Sequence, residues 1–446
     1  MSESNGTFWE ASSPIRSRGH YAPSTEGRPE LRLLAPIVDD PLAARVATND
    51  GTSRIFSSMQ ADKAVKSFAP ILIHGELDTG ENLTLLSAQN YSAGPTLPRY
   101  RARVSILGAH VDANHAYSAM RFRVSDRYWT DHLSPGESAQ TADLSTLRTE
   151  AAEDGIWLIY EGASHRNIRD LEQYVANSCI TLMTLAFDFR PEIQEIELRT
   201  HDGPWLRTAG SGFRGQTSDW DVPMLNTSEL TLERIARWID LNAALDNLGA
   251  AIADPPTGAV QAQALVATTL LEGIHRRLPF EQSKFPSLSK AAKRKVRAVA
   301  RSAAVEAATS SAGVDVGAVD KAISDCLSHF SSVSYLDRAH DIVAEVGAAV
   351  PELTMSVPDL PKLLKDARND LAHHLVEAES IDELVTVISR WTIASMAAPW
   401  LLRFLLLLRV GVDPAILRSK SLEHQRFEFV LANIARIADE LGGATD

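Results

Sequence analysis

Cysteine is nearly missing from this chain: of 446 residues only Cys179 and Cys326 are cysteines. They are far apart and form no C-x-x-C pair, so neither a disulfide scaffold nor a cysteine zinc site is expected, and a reducing compartment is. No G-x-x-x-x-G-K-[ST] and no G-x-S-x-G occurs, which excludes the phosphate-loop and nucleophile-elbow chemistries those strings carry. No apolar run reaches the roughly 18 unbroken residues of a membrane span. The greasiest stretch, Trp391 to Leu408, is interrupted by Pro399 and Arg403 and reads as a helix buried in protein. The opening Met1-Ser-Glu-Ser-Asn has no basic or apolar leader, so a cytoplasmic protein is expected. A surplus of basic charge is lacking too. The formal net charge is -13, so any contact with nucleic acid must come from a local basic face.

What is present suits two or three globular domains: the chain is 45% hydrophobic and 23% charged. Residues 1–65 are rich in Ser, Pro, Gly and charge, and are read as an irregular lead-in with one strand at most. Residues 66–205 carry short β-like runs, including Ile71–Leu77, Leu83–Leu86, Arg101–Leu107, Ala119–Val124 and Ile156–Tyr160, between Gly, Asp, Asn and Pro turn signals. A short helix is read over Cys179–Phe189, stopped by Pro191, and a last strand over Ile193–Arg199. Residues 206–226 read as a linker. From 227 to 446 the periodicity is helical, with segments near 259–278, 288–307, 316–330, 336–349, 360–378, 382–409 and 421–441. The fold class expected is α+β, an antiparallel β-sandwich-like domain followed by an all-α bundle.

One helix carries chemistry. Asp359 followed by Leu360-Pro361 is a helix start, and Ser380-Ile-Asp-Glu383 is a capping box opening the next helix. Between them, Leu364, Ala367, Leu371 and Leu375 fall on one stripe, while Asn369 and His373 stand together on the other face. Arg368 emerges at the edge of the stripe. A neutral imidazole can take the proton of a ribose 2′-hydroxyl or give one to the 5′-oxygen. A guanidinium can hold non-bridging phosphate oxygens, and an amide can orient either partner. Arg368, Asn369 and His373 are therefore the candidate catalytic set, with no metal or cofactor required. Arginine and histidine also share helices for packing reasons alone, and His374, projecting toward the apolar flank, reads as a packed or capping residue.

The string Lys365-Asp-Ala-Arg-Asn-Asp-Leu-Ala-His-His374 resembles the R-N-x-x-x-H signature of HEPN domains, in the form seen in ApeA-like anti-phage proteins. Thr269-Leu-Leu-Glu-Gly-Ile-His-Arg276 is similar to the early helix of that domain, and Thr231-Leu-Glu-Arg-Ile-Ala-Arg-Trp238 to the helix that opens the all-α half. Gly75-Glu-Leu, Leu83-Thr-Leu-Leu, Leu107-Gly-Ala-His and Phe122-Arg-Val-Ser-Asp-Arg-Tyr-Trp129 look like the N-terminal domain of the same proteins. The resemblance implies a metal-independent endoribonuclease in anti-phage, abortive defence, switched on by a phage-derived trigger; single-stranded or loop RNA, such as transfer RNA, is the expected substrate because such loops expose the in-line geometry the reaction needs. It also implies a homodimer with a composite site. Arg368 and His373 lie roughly 140° apart on one helix, an awkward angle for a single-chain site. Glu272 and His275 fit the family pattern but stay outside the catalytic set, since packing explains them equally. The alternative is a HEPN-like RNA- or protein-binding module without catalysis.

Lys290, Lys293, Arg294, Arg297 and Arg301 form the expected RNA-binding face. With Lys295 they fall in twelve residues that contain no acid, and all but Lys295 share about 100° of helical arc. A solvated face paired to acidic neighbours would read the same way. His110-Val-Asp-Ala-Asn-His115 is discounted as a metal site because no second ligand cluster accompanies it. His165-Arg-Asn-Ile-Arg-Asp170 echoes a kinase catalytic loop without the glycine loop or D-F-G that loop needs.

Overall fold

The computed structural model describes residues 3–23, 27–37, 48–49, 52–53, 69–92, 97–124, 133–152, 155–210, 222–310, 315–373 and 381–443. The chain forms two compact units, Met1–Ala243 and Ala244–Asp446. The first is β-rich and the second helical, so the α+β class holds.

The strands of the first unit are β1 (Ser4–Glu10), β2 (Arg16–Ala22), β3 (Glu30–Leu33), β4 (Thr48–Asn49), β5 (Thr52–Ser53), β6 (Ile71–Leu77), β7 (Asn82–Asn90), β8 (Arg99–Arg101), β9 (Val104–Leu107), β10 (Ala116–Val124), β11 (Ser138–Gln140), β12 (Thr146–Ala152), β13 (Gly155–Asn167), β14 (Ile193–Arg199) and β15 (Trp205–Ala209). The short pair β4–β5 stands alone, and the rest join one sheet, paired antiparallel throughout the described residues. Strands β7-β6-β1-β2-β3-β8 close back on β7 as a six-stranded barrel. Closure is possible because β7 is long. Its Gln89–Asn90 end pairs with β8, while Leu83–Leu86 pairs with β9 and leads into the open extension β9-β15-β14-β10-β13-β12-β11.

The expected sandwich is thus a barrel with a sheet growing from one of its strands. The lead-in is also corrected, because it supplies three of the six barrel strands. Their alternation is carried by residues that hide it. In β1 and β2, Phe8, Ser17 and Tyr21 are buried and Arg16 and Arg18 exposed, a period of two with little aliphatic content. The linker loses its first residues, since β15 extends to Ala209.

Inside the barrel lie Phe8, Tyr21, Leu31, Leu33, Ile73, Leu77, Leu85 and Tyr100. Gly75 is required there. A Cβ at this position would stand 2.5 Å from Cδ1 of Phe8, so the ring occupies the volume a side chain would need. The Tyr21 hydroxyl meets Ser105 Oγ at 2.7 Å, and burial pushes its pKa up to about 12.

Past β13 the chain makes a short helix α1 (Ile168–Leu171), a π turn (Glu172–Ala176) and α2 (Asn177–Phe187). Helix α2 is buried from Ser178 to Phe187 and ends on Asp188 in the left-handed conformation, before Pro191 is reached. Helix α3 (Leu232–Ala244) packs on it: Trp238 Nε1 donates to the Ser178 carbonyl at 2.7 Å and Asn242 Nδ2 to Ser178 Oγ at 3.1 Å. The helical periodicity that begins after residue 227 therefore opens inside the β-rich unit.

The second unit contains α4 (Gly249–Ala253), α5 (Val260–Arg277), α6 (Lys290–Thr309), α7 (Val316–Ser328), α8 (Tyr335–Ala349), α9 (Pro351–Met355), α10 (Leu360–His373), α11 (Ile381–Arg409), α12 (Pro414–Glu423) and α13 (Gln425–Gly443). One helix expected over 421–441 is two, divided at His424. By length and composition α11 qualifies as a membrane span, yet 72% of its apolar window is buried inside the protein. It is the core helix, packed on α5, α8, α10 and α13. Helices α6 and α7 form a hairpin with no buried residue. Its feet are pinched by the Ser283–Ser332 bridge and by Phe285 stacked on Phe330 with ring centroids 5.0 Å apart.

Gly75→Ala should destabilise the β-rich unit by about 1–3 kcal/mol, the usual range for overpacking. Urea unfolding with unchanged m-value would read this as a lowered midpoint.

Candidate functional site

Helix α10 starts as its sequence dictates: Asp359 Oδ1 accepts the Lys362 amide at 3.1 Å, with Pro361 in the first turn. Leu360, Leu364 and Ala367 are buried, and Leu371 is half-buried. Leu375 and Ser380, the expected end of the stripe and the next cap, lie outside the described residues. His373 is the last residue of the helix; its side chain, and all of His374, also lie outside them. Asp370 pairs with Arg390 of α11 at 2.9 Å and ties the two helices together.

Arg368 is where the structure adds most. Its Nη2 donates to Glu272 Oε2 at 2.9 Å, and its guanidinium carbon lies 4.9 Å from the Tyr335 ring centroid. The other Glu272 oxygen accepts from Arg276 Nη2 at 2.5 Å. One largely buried carboxylate on α5 therefore holds two guanidinium groups, with the Arg338 charge close enough to be felt by Arg276 and Glu272. Arg368 remains 35% exposed. Burial raises the pKa of Tyr335, and its hydroxyl has no hydrogen-bond partner among the described residues. Chemically, this is a positively biased surface on which a phosphodiester can exchange with, or add to, the carboxylate on Arg368. Asn369 is half-buried on the same helix.

One turn beyond Glu272, His275 is fully buried. Its Nε2 meets Asp341 Oδ2 at 2.9 Å, its ring stacks on Phe280 with centroids 4.4 Å apart, and its Nδ1 is buried without a partner among the described residues. Burial lowers its pKa, and the Asp341 carboxylate works in the opposite direction. With Arg338 donating to the Val333 carbonyl, this packing fixes α5 against α8 and so sets Glu272 and Tyr335 against Arg368. Neither residue belongs to the expected catalytic set. Glu272 had a signal, its i, i+4 spacing to Arg276; Tyr335 had none.

The basic face divides. Arg301 pairs with Asp320 across the hairpin through both carboxylate oxygens, and Lys293 Nζ meets Ser283 Oγ at 2.6 Å. Lys290, Arg294 and Arg297 make no ion pair among the described residues. The feet of the hairpin stand beside Tyr335: Lys284 pairs with Asp337 at 3.2 Å, two residues past the ring that underlies Arg368.

His110 and His115 are not brought together. His110 stacks on His74 with centroids 4.8 Å apart and bonds the Gly75 carbonyl, while His115 packs on Tyr117. The string Gly210-Ser-Gly-Phe-Arg-Gly215 has dinucleotide-loop spacing. Past Gly210 the string lies outside the described residues. Compared with family models, with curated proteins and with solved structures, the chain matches none.

The depressed pKa of His275 has a sign. Folding resists its protonation, so stability is full above the unfolded value of about 6.5 and declines as pH falls below it. Urea midpoints between pH 8 and pH 5 should fall for the wild type and be flatter for His275→Gln.

Proposed function

We propose that this protein is a HEPN-type, metal-independent endoribonuclease of anti-phage defence, with Arg368, Asn369 and His373 as its catalytic residues. The observation that carries the reading is the placement of Arg368, the motif arginine. It is part-exposed at the surface of a helical unit, pre-oriented by Glu272 and Tyr335, and accompanied by surplus positive charge. In this scheme the ribose 2′-oxygen attacks phosphorus, the bond to the 5′-oxygen breaks, and the products are a 2′,3′-cyclic phosphate and a 5′-hydroxyl. His373 moves the proton, Arg368 neutralises the charge on the non-bridging oxygens, and Asn369 orients the imidazole or phosphate. Lys290, Arg294 and Arg297, on a hairpin footed beside Tyr335, would hold flanking phosphates, with Lys293 and Arg301 as weaker contributors because each already has a partner. Single-stranded loops, as in transfer RNA, offer the in-line geometry the step needs.

The active form would be a homodimer. At the start of α11, Ile381, Leu384, Val385 and Ile388 make an exposed apolar stripe at i, i+3, i+4 and i+7, with Ile381 80% and Val385 57% exposed. Ile388 is two residues from Arg390, the residue that ties α11 to the motif helix. A two-fold axis would lay this stripe against its own copy and bring two Arg368–His373 pairs near one another.

A second reading has its own support. An arginine bonded to a buried carboxylate and stacked on a tyrosine is also what a packing arginine looks like, as in a non-catalytic module that binds RNA or protein. Arg368→Ala and His373→Ala separate the two. Each should abolish growth arrest and the appearance of 2′,3′-cyclic RNA ends while leaving the melting temperature of His373→Ala unchanged. Cleavage retained in His373→Ala would move the chemistry to another residue. Val385→Asp with Ile388→Asp should yield a monomer without cleavage, read by sedimentation; a monomeric wild type of full activity would remove the composite site.

A further inference from the structure

On the outer wall of the barrel, three neighbouring strands place basic side chains directly opposite one another. His20 of β2 is paired with Arg32 of β3, and Arg32 with Arg99 of β8. Asn5 of β1 lies opposite His20 and completes the row. In the next row Arg18 lies opposite Thr7, and the Leu34 amide bonds its carbonyl at 2.9 Å. Like charges facing each other across strands destabilise a sheet, and the carboxylates nearby compensate this set only in part. Arg18 is held by Asp78 through two bonds of 2.7 and 2.8 Å, and His20 reaches Asn5 at 3.1 Å and Glu3 at 3.2 Å. Glu30 stands 3.9 Å from Arg32 but is already engaged by Arg101 at 2.9 Å and by the Tyr91 hydroxyl at 3.0 Å. Arg99 has no carboxylate partner among the described residues, and Arg32 is 60% exposed.

These residues line a cavity of about 380 Å³ whose walls include Leu34 and Leu97, 66% and 54% exposed. Among the described residues no carboxylate lines it. The volume falls within the ordinary range of small-molecule sites, about 300–1,000 Å³. Exposed leucines beside Arg99, which has no carboxylate partner among the described residues, and Arg32, whose Glu30 is shared with Arg101 and Tyr91, suit a ligand with an anionic head and an apolar body.

We propose that this cavity binds a small organic phosphate monoester. Arg32 and Arg99 grip the phosphate oxygens, Arg18 adds charge, His20 offers a ring nitrogen, and Leu34 and Leu97 cover the organic group. A phosphate fits better than a carboxylate because a dianion with three strong acceptors can satisfy several fixed donors at once, where one guanidinium suffices for a carboxylate. The site rests on the barrel alone and does not depend on the nuclease reading.

Calorimetric titration of the full chain with adenosine 5′-monophosphate, inorganic phosphate, adenosine and a short oligoribonucleotide tests it. The monophosphate should bind, inorganic phosphate more weakly, adenosine not at all. In Arg32→Gln/Arg99→Gln the monophosphate affinity should fall about tenfold or more, the equivalent of one charge-assisted bond, with the melting temperature unchanged or raised. Leu97→Asp, which keeps both arginines, should weaken it too. The proposal is overturned if neither phosphate probe binds at millimolar concentration, if adenosine binds as well as its monophosphate, or if the double variant binds as the wild type does. Oligoribonucleotide binding that is lost in the double variant, without monophosphate binding, would overturn it in favour of a polymer site.

Discussion

A single carboxylate shared by two guanidinium groups organises the helical unit around its motif. Glu272 is largely buried on α5, and a carboxylate there is tolerated only when its charge is compensated and its oxygens are hydrogen-bonded. Arg276 meets one oxygen from the same helix, and Arg368 meets the other from α10. The motif helix is consequently held in rotation as well as position. Buried Leu364 and Ala367 fix one side, and Arg368 is drawn over Tyr335 on the other. Losing the carboxylate would leave neighbouring cations to repel one another in a partly dry setting, a larger disturbance than the loss of an exposed pair.

The same arrangement constrains chemistry. A guanidinium already bonded to a carboxylate is pre-oriented but partly neutralised, and a phosphate must compete with or join that pairing. The surplus of positive charge around Glu272 favours joining. His275, one turn along, contributes by packing: buried against Phe280 and bonded to Asp341, it holds α5 to α8.

The barrel shows a different economy of charge. Its interior is filled by apolar and aromatic groups from alternate residues, which forces the other set outward. In β2, β3 and β8 that outward set is largely arginine. Where Arg101 meets Glu30 the outer face is balanced; where Arg32 meets Arg99 it is not. A closed barrel leaves these strands no freedom to slip register and separate like charges, so the repulsion persists in the folded state.

Much of the helical unit was legible in the sequence. A 3.6-residue period of Leu, Ile and Ala, a cap at Asp359 and a proline in the first turn are local signals, and most of the expected helices begin within a few residues of their expected starts, while Pro351–Met355 and Pro414–Glu423 were not read. The strand Ile71–Leu77 was equally plain. The first two strands were not, because Gly6, Phe8, Ser17, Gly19 and Tyr21 occupy inward positions that aliphatic residues usually mark, and β3 offers only Leu31 and Leu33. The sequence by itself determined most of the helical segments, that Trp391–Leu408 is core, and that Arg368 leaves the motif helix at the border of its buried stripe. Only the tertiary structure decided that the strands close into a barrel, that Glu272 meets Arg368, and that His20, Arg32 and Arg99 stand in one row. Each of these joins residues tens of positions apart through pairing or packing, and no local periodicity records which distant partner a side chain will find.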